Sequence, residues 1–301
     1  MLSSDGGRLS TALRRAVLEF SLREPGPLAD LTVSDRGVLL PGGIQLMWSE
    51  IWRAGIDPVS AARADPAPTL YRRVSRWLRL RHAVATVLTA QGEGAIRARV
   101  RPLALPHDHQ VHPGWTWPVH RVLGGAVDLG LGLRGVDDDG RADPESVGVL
   151  PVELLRSAGV EIAPVCEAAD RYLHDMAELA AERLLRSRNS TLRPLGDCDV
   201  VTLLASGIFR HAVVQDAPGV VGLRSAAVPV RRLGWLDLGR VDPAFALAAA
   251  SLTEPDERGF LRPLLITADE VVQVRDGGSP TRFALSDPLA PEHPAPVQRL
   301  N

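Results

Sequence analysis

Eight arginines and a single acid, Glu93, fall between Pro66 and Pro106. A guanidinium presents a rigid fork of N–H donors that matches carboxylate and phosphate oxygens two at a time. Arg72, Arg73, Arg76, Arg79 and Arg81 lie on a stretch of helical periodicity, whereas Arg97, Arg99 and Arg101 alternate with Ile96, Ala98 and Val100. Strict alternation predicts a β-strand that turns the three arginines to one face and the apolar residues to the other. Like charges stacked along one strand face repel, so something negative is expected opposite them. An internal partner is at hand, because residues 127–178 hold twelve acids against four arginines. The alternative is a phosphate-bearing ligand or nucleic acid, gripped by Arg72, Arg73, Arg76, Arg97, Arg99 and Arg101. Aromatic interleaving is limited to Tyr71 and Trp77, which gives bases little to stack on.

Histidines form a second group. His107, His109, His112 and His120 fall within one loop that also carries Pro106, Pro113 and Pro118. In extended backbone His107 and His109 face the same side and could share a divalent metal such as Zn, Mn or Fe. The prolines would restrict the loop and hold such ligands in place. A metal-dependent hydrolase built on His107–His120 is the enzymatic reading of this chain.

Other patterns point less far. Glu167, Asp170, His174 and Glu178 recur every three to four residues, which suits a solvated helix face better than a buried metal site. Gly130-Leu131-Gly132-Leu133-Arg134-Gly135 spells a dinucleotide fingerprint, but it runs into Asp137-Asp138-Asp139-Gly140, a turn, where a helix should begin. Cys198 lies between Asp197 and Asp199, an environment that raises a thiol pKa and disfavours nucleophilic attack.

The elements that must position these groups read as follows. Helices are expected over Ser10–Arg23, Ile44–Ala54, Thr69–Ala90 and Pro164–Arg186, the last with Val165, Ala169, Tyr172, Met176 and Leu179 as its apolar stripe. Asp199 is expected to cap one helix running through VVTLLASGIFRHAVV, and PAFALAAASL is another. LTVSDRGVLL reads as a hairpin, and AVDLGLGL, SAAVPV, RPLLITA and EVVQVR read as strands. Strands in hairpins and helices in runs imply an α+β fold with a mainly antiparallel sheet. At 301 residues it forms one compact domain or two tightly joined lobes. The expected division is an Arg-rich lobe with the histidine loop (1–148), a helix-plus-sheet lobe (149–286) and a Pro-rich flexible tail (287–301).

Composition closes several doors. The chain contains no lysine, so all 34 basic side chains are arginine. Schiff-base chemistry, a P-loop and a protein-kinase site each need a lysine and are excluded. A net charge of -2 is not that of a nucleic-acid coat. Two cysteines fit a reducing compartment, and no stretch suggests a signal peptide or a membrane span. The expectation is a cytoplasmic, non-enzymatic binding or regulatory module with an Arg-rich anion-binding face and no membrane partner.

Overall fold

The structure, a computed structural model, describes residues 3–55, 66–107, 109, 117, 120–187, 190–215, 221–237 and 243–274. His112 and the tail 287–301 lie outside the described residues. The fold is α+β, as the sequence implies.

Helix α1 (Ser3–Arg23) buries Leu13, Ala16, Val17 and Phe20, a set at helical spacing. Strands β1 (Thr32–Val33), β2 (Gly37–Leu40) and β3 (Ile44–Met47) then form a small antiparallel sheet. The expected hairpin is therefore present, but the expected helix over Ile44–Ala54 is shorter. Residues 44–47 pair with β2, and helix α2 (Trp48–Gly55) starts only where that ladder ends. Helix α3 (Pro66–Gln91) packs on α1 and buries Leu70, Val74, Trp77, Leu78 and Val84.

The expected arginine strand is a helix. Gly92, at φ +78, closes α3, and α4 (Glu93–Arg99) follows before strand β4 (Val100–Pro106) begins. Ile96 and Val100 are both buried, and a spacing of four satisfies the strand period and the helix period alike. Ala98 is the position that separates the two, and it is exposed. Alanine and arginine are good helix formers, so local propensity and burial agree on α4.

Strand β5 (His120–Val122), β6 (Val127–Val136) and β7 (Ala142–Val149) complete a second antiparallel sheet with β4. One edge of β6 carries β4 along residues 127–133, and the other carries β5 at one end and β7 at the other. After α5 (Val152–Ser157), helix α6 (Ile162–Ser187) buries Val165, Ala169, Leu173, Ala177, Ala180, Ala181 and Leu184. Beyond Ala169 the stripe lies one position past the one read from the sequence, and Leu179 is 51% exposed.

Strand β8 (Thr191–Leu192) precedes α7 (Val200–Ala205) and α8 (Gly207–Gln215), which replace the single helix expected there. Ser206 is extended, and Arg210 donates from Nη1 to the Leu204 and Ala205 carbonyls at 2.8 and 2.9 Å. Those are carbonyls a helix end leaves open, so a side chain stabilises the break. Strands β9 (Arg224–Val230) and β10 (Leu233–Leu236), helix α9 (Pro243–Leu252), and strands β11 (Leu264–Ile266) and β12 (Val271–Gln273) follow. They build a third antiparallel sheet in the order β12-β11-β9-β10-β8.

Two large cores result. One gathers α1–α5 with the start of α6; the other gathers the rest of α6 with α7, α8 and the third sheet. Helix α6 and the β4–β6 pair belong to both, so the second sheet joins the two halves. Among the described residues no helix is long and apolar enough to cross a membrane.

Candidate functional site

Arg72, Arg79, Arg97 and Arg101 meet acids of their own chain. Arg72, Arg76 and Arg79 recur along one face of α3 and lie against the Asp137–Gly140 turn between β6 and β7. Gly140 sits at φ +78, and a Cβ there would come within 3.0 Å of the Arg76 carbonyl, so only glycine lets the turn rest on the helix. Arg72 Nε donates to Asp139 at 2.8 Å and its Nη2 to Asp256 at 2.6 Å. Arg79 grips Glu24 through two parallel bonds of 2.7 and 2.6 Å. Arg76 is buried, which lowers its pKa to about 10 against the pull of Asp138. Arg73 is half-buried on the same helix.

Arg101, the second residue of β4, does three things at once. Nε donates to Asp197 at 2.6 Å, Nη1 donates to the Ala98 and Val100 carbonyls at the end of α4, and the guanidinium lies 4.4 Å from the Tyr172 ring centre. Arg97 pairs with Glu93 one helical turn away, and Arg99 donates to Gln91. Of the six arginines assigned to an anion-binding face, Arg72 and Arg101 are thus ion-paired across the fold, and Arg97 and Arg99 bond locally. The structure does not bring them together on one open face.

The histidines separate as well. His107 is half-exposed and its Nδ1 lies 2.6 Å from Oδ2 of Asp128, a carboxylate with no solvent exposure. His109 is buried and donates from Nε2 to the Arg258 carbonyl at 2.8 Å. Burial, and next the charge of Arg231, lower its pKa to about 4. His120 lies on β5, and its side chain, like the whole of His112, is outside the described residues. Among the described residues no three His, Cys, Asp or Glu side chains are placed to hold a metal.

Gly130 and Gly132 of the G-x-G-x-x-G run serve packing, whereas Gly135 sits at φ +93 with open space around it. They lie within β6, and a Cβ on Gly130 would stand 2.7 Å from the Trp117 indole, which is fully buried and donates to the Leu131 carbonyl. His174 pairs with Glu178 on an exposed face of α6, as the solvated reading expects.

The group that sequence reasoning missed surrounds Arg231, at the turn between β9 and β10. Its Nε donates to Asp199 at 2.8 Å and its Nη1 to Asp138 at 3.0 Å. Burial opposes a charge there, but Asp199 and Asp138 more than offset it and hold Arg231 above its ordinary pKa. Burial pushes the Asp138 carboxyl upward, with Arg231 and Arg76 resisting. Asp199 has a second role, since Oδ1 accepts the Thr202 N–H at 2.7 Å and caps α7 as the sequence expects.

Above this triad opens a cleft of about 460 Å³. The β6–β7 hairpin supplies Asp137, Asp138, Glu145 and Ser146; the loop before α7 supplies Asp197, Cys198 and Asp199; Arg231, Arg232, Asp256 and Glu257 close it. Cys198 is buried, and burial together with Asp199 and Asp197 raises its thiol pKa to about 12, which removes it as a nucleophile.

No family model, curated protein or solved structure matches this chain.

The site therefore rests on its own geometry. Its parts were visible only singly in the sequence: the Asp-rich turn, the Asp197/Asp199 pair and the Arg231-Arg232 doublet carry no shared motif. Acids spaced around a cysteine and an arginine pair in a strand-flanked turn are the only local signals.

Proposed function

We propose that the protein is a non-enzymatic binding or regulatory module whose ligand site is the cleft above Arg231. One observation supports this most: Arg72, Arg101 and Arg231 are committed to internal carboxylates while a cavity of about 460 Å³ stands open beside them. That size falls in the range of roughly 300–1,000 Å³ common to small-molecule sites, and ionisable groups with displaced pKa values line its floor. A ligand that binds only the folded chain raises its melting temperature. A panel of charged metabolites tested on the wild type and on Ser146→Trp, which fills the cleft, decides the matter. The expected result is a shift in the wild type that the variant loses. A shift that persists in Ser146→Trp, or none with any compound, overturns the reading.

The metal-dependent hydrolase remains a second reading on one observation. A buried carboxylate bonded to Nδ1, as Asp128 is to His107, is how metal-bound histidines are oriented. Elemental analysis of purified wild type and His107→Ala tests it. Stoichiometric Zn, Mn or Fe lost in the variant supports it, and metal-free wild type removes it.

A further inference from the structure

We infer that a second hollow, at the C-terminal end of α6, binds a short aliphatic chain ending in a carboxylate. Among the described residues it shares no lining residue with the cleft above Arg231. The hollow has a volume of about 200 Å³ and forms where α6, β8 and α8 converge. Ala180 and Leu184 of α6, Leu192 of β8 and Phe209 of α8 make its walls, and all four are buried. The small side chain at Ala180 leaves open a space that a leucine there would take up.

The mouth has the opposite character. Arg183 and Arg193 stand there, both exposed, and among the described residues no Asp or Glu lines the hollow. Arg183 Nη2 donates to the Arg193 and Pro194 carbonyls at 3.1 Å each, which fixes that guanidinium at the rim. A helix C-terminus attracts cations, which accounts for Arg183 and Arg186 in the last turns of α6. Arg186 is already paired with Glu182. Arg193 is different, because it follows β8 and its side chain enters no ion pair among the described residues. Two guanidiniums on one small mouth repel each other, and an anion between them relieves both.

Size and chemistry together select the ligand. At roughly 30 Å³ per water the hollow holds about seven waters, or a chain of about four to six carbons. Drug-sized ligands occupy roughly 300–1,000 Å³ and are too large for it. Apolar walls favour a hydrocarbon chain, and a guanidinium at the mouth matches a carboxylate head. An organic cation would meet two like charges, and a bare inorganic anion would leave the walls unfilled.

Calorimetric titration of the full chain with hexanoate, hexan-1-ol, hexylammonium and inorganic phosphate tests this. Hexanoate is expected to bind, tighter than butanoate by up to about fourfold per methylene. The other three probes are expected to bind about tenfold more weakly, or not at all. Arg193→Gln removes a guanidinium outside every ion pair. It is expected to weaken hexanoate about tenfold, or about 1.4 kcal/mol, with the melting temperature unchanged. Ala180→Leu, which fills the hollow, is expected to abolish binding, whereas Ser146→Trp, which fills the cleft, leaves it intact. Ala180→Leu can overpack α6 against α8, so Arg193→Gln carries the test. Hexanoate binding unchanged in Arg193→Gln, or matched by hexan-1-ol or hexylammonium, overturns the carboxylate assignment. Phosphate as tight as hexanoate reduces the mouth to an anion patch and overturns the aliphatic assignment. Hexanoate retained by a folded Ala180→Leu, or lost in Ser146→Trp, sits outside the hollow and overturns this site. No hexanoate binding overturns the inference outright and leaves the cleft untouched.

Discussion

Arg72 and Asp256 lie 184 residues apart in the chain and 2.6 Å apart in space. The bond ties the second turn of α3 to the Pro255–Glu257 turn that borders the cleft. Both side chains are about one-third exposed, so solvent screens them and the pair contributes about 1 kcal/mol or less. Its role is to fix the position of the turn. The buried Arg231 triad is a different case, and the predictions separate the two.

Arg231→Met leaves Asp138 and Asp199 facing each other in a buried site without their cation. The expected loss is about 3–5 kcal/mol in denaturant unfolding. Adding Asp138→Asn to the variant should restore part of that loss, because the uncompensated charge causes most of it. A loss below about 1 kcal/mol would show the triad to be solvated.

Arg101 and its neighbours on α4 should behave oppositely. Arg101→Ala removes a shielded ion pair, two carbonyl caps and a ring contact, and is expected to cost about 2–4 kcal/mol. Arg97→Ala with Arg99→Ala removes local, half-exposed bonds and is expected to stay within about 1 kcal/mol. Neither change should abolish a phosphate interaction. Single-stranded DNA that binds at low salt and is released by the Arg97/Arg99 pair would restore the anion-binding face.

Gly130→Ala drives a methyl group into the Trp117 indole at 2.7 Å. The neighbour is a buried ring bonded to Leu131, so it cannot swing away, and a loss of about 1–3 kcal/mol is expected. Trp117→Phe in the same background should relieve part of it. Equal stability of Gly130→Ala and wild type would remove the packing role assigned to this glycine.

His109 gives a pH dependence with a definite sign. Its folded pKa of about 4 lies below the ordinary value of 6.5, so the unfolded chain binds the proton more readily. The contribution is fully present above about pH 6.5 and is lost as pH falls through the window from 6.5 to 4. At most roughly 3 kcal/mol is involved. Urea unfolding at pH 7, 5.5 and 4 should show this slope in the wild type and a flatter one in His109→Gln.

By itself the sequence determined the fold class, the main amphipathic helices, the Asp199 cap, the β1–β2 hairpin and the turn at Asp137–Gly140. It also determined that Cys198 is inert and that no lysine chemistry exists. These are local properties: periodicity, capping and the absence of a residue type act over one or two turns of chain. It left α4 ambiguous because Ile96 and Val100 satisfy both periods, and only packing made Ala98 the exposed position. It raised an internal partner for the arginines but could not choose that partner. Whether Arg72 meets Asp256 or a phosphate, and whether Asp138 and Asp199 share Arg231, depends on where loops from both halves of the chain converge. That convergence is set by the docking of α3 and the third sheet against the second, a tertiary fact with no local pattern to announce it.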